Sequence, residues 1–283
     1  FYDEPFADSS AIPSMLLAKN TKKQVTVALT GDGGDESFLG YSRYNWVKNK
    51  SKIYDIPYPL RILISELLMN VPNYKLKIIA KGLRPKNKNL AYLSVMTGIN
   101  LSYINHFEQF RHINEKKYLD HASKNLLERI SDFDLKTYLN FDINTKVDRA
   151  TMAYSLEARS PLLDHNIIEF SRSIPTHFKF NKNSQKRILK DVLYQYMPKE
   201  FFNRPKAGFA IPFAKWFRSE LKDYVLSELG NESLKDIPFI NVENVKFMIN
   251  QHMEGAWDRH PLIWKLIILK QWLNTNGKNH IIK

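Results

Sequence analysis

The sequence predicts an α/β protein with a mostly helical body, and three observations carry that expectation. An alternating apolar run, Val25-Thr26-Val27-Ala28-Leu29, reads as a short buried strand. It stops at Thr30-Gly31-Asp32-Gly33-Gly34-Asp35-Glu36, where closely spaced glycines fit neither core strand nor helix interior without cost. A helix with Phe38, Tyr41 and Tyr44 at helical spacing follows, and beyond it the apolar periodicity is almost wholly helical. Strand, glycine-rich loop and helix in that order is how α/β folds present a ligand at the carboxyl end of a strand. The strand is expected to be buried and parallel to any neighbour.

Taken in order, Asp8-Ser9-Ser10 is an N-cap cluster with Pro13 early in the helix it starts, which runs to about Lys22 and leads into the Val25 strand. Helix-period apolar residues then mark Leu60 to Leu68, Leu90 to Thr97, Tyr103 to Phe110 and Ser123 to Ile130. Gly82 and Pro85 make residues 81–86 a breaker. A helix over Ser184 to Tyr196 carries a loop, Arg204 to Pro212, fixed by Pro205, Gly208 and Pro212. The last helix, Pro261 to Leu273, is apolar on most sides and reads as packing. No internal repeat or low-complexity linker occurs.

The 283 residues carry 43% hydrophobic and 13% aromatic side chains, enough for a sizeable core in one large domain or two small ones. No apolar run reaches the roughly 18 residues of a membrane-spanning helix. The opening FYDEPFADSS has no basic or apolar leader region, lacks an initiator methionine and enters within a motif, so the chain reads as part of a longer protein. There are no cysteines, which removes disulfides and thiol catalysis from this chain and fits a cytoplasmic setting. A net charge of +13 raises a nucleic-acid reading. The basic residues are dispersed, however, and no helix-turn-helix, zinc-finger or RNA-binding signature accompanies them.

Several charges suggest chemistry. Asp32, Asp35 and Glu36 bring negative charge to the mouth of the strand, suited to Mg²⁺ rather than directly to phosphate; the alternative is a solvated acidic turn capping the next helix. Neither a Walker A motif nor GxGxxG is present. Between residues 134 and 164, Lys146, Asp148, Arg149, Glu157 and Arg159 interrupt a segment otherwise fit for burial. Such charges must be paired as a structural network or serve a carboxylate or phosphate ligand. Asp164 reads as a helix N-cap. Lys206 stands alone inside the proline-bounded loop. The histidines show no metal-ligand spacing, so zinc is not expected.

Residues 29–44, LTGDGGDESFLGYSRY, and their approach, FYDEPFADSSAIP, resemble the second signature of the synthetase domain of glutamine-hydrolysing asparagine synthetases. The KVDR, M and EARSPLLD elements of residues 146–164 and the RPKAGFAIP loop of residues 204–212 match in the same order, and the resemblance covers nearly the whole chain. It implies an adenine-nucleotide alpha-hydrolase-like (PP-loop ATPase) synthetase domain, of which residues 1–283 would be the C-terminal portion, truncated to a helical body on one or two parallel strands. It also implies adenylation of the aspartate side-chain carboxylate by ATP with Mg²⁺, then amide formation with ammonia from an N-terminal glutaminase domain, releasing AMP and pyrophosphate.

By the same resemblance Asp35 binds Mg²⁺, and Thr30, Gly31, Gly33, Gly34, Lys186 and Arg159 serve the nucleotide. Glu157 and Arg149 hold the substrate. Asp32, where the family often has Glu, takes a proton from the incoming amine, and Lys206 neutralises developing charge. Asp32, Asp35, Glu157, Arg159 and Lys206 are then expected to line one cleft. The glutaminase domain and the family's Ser-Gly-Gly-x-Asp-Ser loop do not occur in the sequence, so the chain alone is expected to be inactive. A related adenylating amidotransferase or ring-closing enzyme is the alternative reading. A non-catalytic basic scaffold or a nucleic-acid binder are the others. The resemblance implies no nucleic-acid or membrane partner and leaves a homodimer open.

Overall fold

Asp8 accepts hydrogen bonds from the backbone N–H and the hydroxyl of Ser10 at 2.9 and 2.8 Å, and this turn starts helix α1, Ala11–Thr21. The computed structural model describes residues 2–97, 125–181, 184–202 and 211–276. Strand β1, Val27–Leu29, pairs in parallel with β2, Glu157–Arg159, in the register Val27 to Glu157, Ala28 to Ala158 and Leu29 to Arg159. The ladder extends at both ends through Glu157 N–H to Thr26 O at 3.0 Å and Thr30 N–H to Arg159 O at 2.8 Å. The parallel pairing agrees with the sequence; the expected burial does not. Val25, Val27 and Leu29 are 44%, 40% and 74% exposed. Only the central Ala28 and Ala158 are half-buried, because no described residue covers the outer side chains of this two-stranded ribbon.

The helix expected through Phe38 and Tyr44 is broken in two. A single turn, α2 (Gly34–Ser37), is followed by Leu39 at φ 59° and by Gly40, and α3 begins afresh at Ser42 and ends at Lys50. Gly40 is needed because a Cβ there would strike the Asp35 carboxylate. The helices read at residues 60–68 and 90–97 appear as α4, Tyr58–Met69, and α6, Lys88–Thr97. Between them lies α5, Tyr74–Leu83. Arg61, 1% exposed, donates to the carbonyls of Ile56, Leu83, Pro85 and Lys86 at 2.7–3.1 Å. The 81–86 breaker is thus secured by one guanidinium whose fork of donors matches several carbonyls at once. The helix expected at Tyr103 to Phe110 lies outside the described residues. The one begun at Ser123 is seen as α7, Leu126–Lys136.

Leu39, Tyr44, Val47, Tyr92, Leu93, Leu127, Ile130, Phe133 and Phe180 form the core of this half. Inside it Asp134, 0% exposed, accepts at Oδ2 from Arg43 at 2.8 Å, Tyr44 at 2.5 Å and Tyr92 at 2.6 Å. After a π-helical turn, Leu139–Asn144, comes α8, Thr145–Met152, which leads through a tight turn into β2.

Asp164 caps α9, His165–Ser173, by accepting from Asn166 N–H at 2.9 Å, as the sequence indicated. The helix expected from Ser184 begins later. Ser184–Gln185 pairs antiparallel with Phe180–Asn181, Lys186 turns at φ 53°, and α10 is Arg187–Leu193. A second core joins α11 (Lys222–Glu228), α12 (Val242–Met253) and α13 (His260–Asn276) through Phe217, Val225, Met248, Ile263 and Ile267, each at most 1% exposed. The last helix is therefore packing, as read. Each such side chain contributes about 1.5–3 kcal/mol of burial.

Candidate active site

Because β1 and β2 run in parallel, their carboxyl ends open on the same side, and both continue directly into polar residues. Thr30 Oγ1 and Ser160 Oγ are 2.6 Å apart and tie the two strand ends together. Beyond them lies a cavity of about 250 Å³ lined by Asp32, Asn144, Val147, Asp148, Thr151, Met152, Glu157, Ala158 and Ser160. Three polypeptide segments meet there: the glycine-rich loop, helix α8 with the turn before it, and β2. This is where open α/β sheets place ligands.

The glycines of the loop do different jobs. Gly33 sits at φ 84°, and a Cβ there would run into Leu163; one at Gly34 would stand 2.8 Å from Leu162. Both positions are small so that the loop can lie on the Pro161–Leu163 turn. A Cβ at Gly31 would meet nothing within 4 Å. Gly31 is therefore the one among these three with open space in front of it.

The carboxylates divide in the same way. Asp32 faces the cavity with Glu157. Glu36 is a correction to the sequence reading: at 1% exposure it turns inward, accepts from Tyr41 Oη at 2.5 Å, and its backbone carbonyl accepts from Ser131 Oγ at 2.8 Å. Burial pushes its carboxyl above the usual range. Glu36 anchors the loop from behind and offers no charge at its mouth. Asp35 is paired through Oδ1 with Lys186 Nζ at 3.0 Å.

The described residues contain no group of three or more His, Asp or Glu side chains arranged for a metal. Asp35, expected from the resemblance to hold Mg²⁺, carries Lys186 on its Oδ1. Any such ion would compete with Lys186 for Oδ1.

Arg159 Nε bonds Glu157 Oε1 at 2.7 Å, both side chains being more than half exposed. Arg149 lies on another side of α8, paired with Asp3 at 2.6 Å, and lines an adjoining cavity with Tyr2, Glu4 and Asn140. Lys206 lies outside the described residues. The structure thus brings Asp32 and Glu157 together with Arg159 beside them, joins Asp35 to Lys186, and sets Arg149 apart. Asn144, Thr151 and Ser160 were not singled out in the sequence. Ser160 carried the clearest available signal, since it directly precedes the Pro161 turn on which the glycine loop rests.

The asparagine synthase family model matches residues 1–274. Asparagine synthetase [glutamine-hydrolyzing] 1 of Bacillus subtilis (strain 168) is 27% identical over 282 residues, covering 97% of this chain and 44% of that protein. A putative asparagine synthetase [glutamine-hydrolyzing] of Mycobacterium tuberculosis (strain ATCC 25618 / H37Rv) is 27% identical over 282 residues, with 96% and 43% covered. The asparagine synthetase [glutamine-hydrolyzing] of Mus musculus is 34% identical over 165 residues, 52% of this chain and 28% of that protein. The chain spans less than half the length of these relatives.

Proposed function

The chain belongs to the asparagine synthase family, and we propose that it supplies the amide-forming site of an ATP-dependent asparagine synthetase as part of a longer protein. The observation that carries this reading is the meeting of Asp32 and Glu157 across one cavity at the carboxyl ends of two parallel strands. In this reading the aspartate side-chain carboxylate attacks the α-phosphate of ATP, pyrophosphate leaves, and ammonia then displaces AMP. Gly31, with open space before it, and Thr30 let the backbone approach the nucleotide. Gly33 and Gly34 shape the loop that makes this possible. Lys186 and Arg159 place positive charge where phosphates would lie.

Glu157 orients the acceptor through its hydrogen-bonding carboxylate. Asp32 is within the same cavity and takes a proton from the attacking amine. Arg149, paired with Asp3 through one nitrogen, keeps further donors for the substrate, whereas Lys206 is assigned by family resemblance to the charge that develops at the phosphate. Mg²⁺ at Asp35 would supply Lewis-acid stabilisation of the phosphates.

The exposed Val27 and Leu29 leave apolar surface on the strand pair, and Ile12, Leu16 and Leu17 of α1 are exposed too, at 47%, 60% and 54%. The proposed fold, a PP-loop ATPase sheet, would cover it with further strands in the whole protein.

The test is ATP–pyrophosphate exchange by the longer protein with and without aspartate. Exchange that requires aspartate and falls in Glu157→Gln is the expected result, while Asp32→Asn, which would act only after pyrophosphate has left, should keep exchange and lose asparagine formation. Exchange driven by another carboxylate instead would change the acceptor, and no exchange with any carboxylate would overturn the reading.

A further inference from the structure

One wall of the candidate cavity is a single helical face. Asn144, Val147, Asp148 and Thr151 stand at i, i+3, i+4 and i+7, the spacing that sets side chains one above another. The opposite face is fixed from behind. Ala150 is fully buried, and Lys146, 9% exposed, donates from Nζ to Asp8 Oδ2 at 2.7 Å. Tyr2 Oη donates to Lys146 O at 3.2 Å. The helix cannot turn about its axis without breaking these contacts, so the four side chains stay on the cavity side.

Asn144 has no structural task on that wall. It closes the π-helical turn Leu139–Asn144 and leads into α8 with helical backbone angles, φ −64° and ψ −43°, where asparagine is a poor helix former. Its side chain does not cap the helix, and no described residue bonds its amide, although the residue is half-buried. Such π-helical turns occur frequently at functional sites.

The rest of the lining leaves this amide a specific role. Asp32, Asp148 and Glu157, when ionised, only accept hydrogen bonds. Thr151 gives its hydroxyl proton to Val147 O at 2.8 Å, and Ser160 shares its hydroxyl with Thr30 at 2.6 Å. Asn144 Nδ2 thus carries the side-chain N–H donors of this lining, two of them. An anionic acceptor entering among three carboxylates is repelled, and a fixed donor on the helical wall offsets that. Asn144 also lines the neighbouring cavity of about 520 Å³ that holds Arg149, so it stands where the two cavities meet. The candidate cavity, at about 250 Å³, falls below the roughly 300–1,000 Å³ of ligand pockets, so a bound ligand extends past this point.

We propose that Asn144 is a specificity-determining substrate contact: Nδ2 donates to the second, non-reacting carboxylate of an amino dicarboxylate acceptor whose reacting carboxylate lies at the strand ends. The reacting carboxylate loses its charge when it joins the α-phosphate. The second keeps its charge throughout and is the one that needs a lasting donor, with Arg149 beyond Asn144 adding attraction. Asp148 and Glu157 remain to accept from the acceptor's ammonium. The inference rests on the synthetase reading for which carboxylate reacts.

The test titrates the longer protein with L-aspartate and with β-alanine, which is aspartate without its second carboxylate, by ligand-observed NMR. Asn144→Ala is expected to weaken L-aspartate binding about 10- to 100-fold, as for one lost hydrogen bond to a charged group, and to leave β-alanine binding and the melting temperature unchanged. Asn144→Asp, which keeps the size and adds a fourth carboxylate, should weaken L-aspartate further. If β-alanine binds too weakly to titrate, succinate, which keeps both carboxylates and lacks the ammonium, takes its place and should lose as much as L-aspartate. The contact is overturned by unchanged L-aspartate binding in Asn144→Ala, by equal losses for L-aspartate and β-alanine, by succinate binding that the variant spares, or by a parent that does not bind L-aspartate. Binding needs no adenylation, so the two readings fail separately. Aspartate-dependent ATP–pyrophosphate exchange in a parent whose Asn144 variants bind normally removes the contact and leaves the synthetase reading standing. An Asn144-dependent aspartate site in a protein without exchange does the reverse.

Discussion

Arg43 meets Asp134 at 2.8 Å and Arg159 meets Glu157 at 2.7 Å, yet the side chains of the first pair are 18% and 0% exposed and those of the second 65% and 53%. The lengths are almost equal and the energetics are not. In the buried pair, water has been replaced by Tyr44, Tyr92 and the flanking rings of Tyr41 and Tyr138, whose centroids lie 3.6 and 4.7 Å from the Arg43 guanidinium. Burial pushes the Asp134 carboxyl up, while Arg43, Tyr44 and Tyr92 pull it back. Every donor converges on Oδ2, which is the geometry of an acceptor. In the exposed pair water screens the attraction, so the two charges remain exchangeable for those of a ligand. Distance alone does not separate a structural ion pair from a functional one; the surroundings do.

The largest effect should come from breaking the buried pair. Asp134→Ala leaves Arg43, Tyr44 and Tyr92 without their common acceptor, and the loss in urea unfolding is expected to be about 3–5 kcal/mol. A loss under about 1 kcal/mol would mean that burial does not distinguish the two pairs. Next in size is Lys206→Ala in the longer protein, expected to lower kcat by about 10²-fold while KM for aspartate and ATP changes much less, as for removal of one preorganised stabiliser of developing charge. Lys206→Arg should rescue poorly, since a planar guanidinium does not replace a compact ammonium. Asparagine formation from aspartate, ATP and ammonia reads both, and parental turnover in both would return Lys206 to the class of solvating lysines.

The glycine loop shows what was legible in the sequence and what was not. Its position after a strand was readable from Val25 to Leu29, and so was the parallel pairing. The partner was not, because Glu157-Ala158-Arg159 is too short and too polar to announce itself as a strand. The exposure of Val27 and Leu29 was hidden for another reason: apolar alternation reports what a side chain would bury, not whether anything covers it. The break at Leu39 and Gly40 also escaped, since Phe38, Tyr41 and Tyr44 keep helical spacing across it. Gly33 and Gly34 read as room for a ligand, and the structure fills that room with Leu162 and Leu163, so two stretches noted separately are two sides of one contact. This gives a third, smaller effect. Gly33→Ala, at φ 84° and against Leu163, should destabilise by about 1–3 kcal/mol. Gly31→Ala should leave stability within about 0.5 kcal/mol. If nucleotide approaches there, Gly31→Ala should still weaken ATP binding, measured by titration in the longer protein.

The smallest change in stability belongs to Glu157→Gln, and it is the sharpest test of the opening contrast. Glu157 and Arg159 are neighbours on the same exposed edge of β2, and an exposed pair of this kind contributes about 0–1 kcal/mol. The amide keeps the size and one acceptor oxygen, so a hydrogen bond to Arg159 Nε can persist, and the midpoint of unfolding should move little. If Glu157 serves only to pair with Arg159, turnover should be as indifferent as stability. If its charge orients an acceptor in the cavity it shares with Asp32, turnover should fall steeply in a protein that is otherwise intact. A variant that loses stability and activity together would place Glu157 with Asp134 among the charges that hold the fold, and one that loses neither would leave the chemistry of the cavity to Asp32 and Asp148.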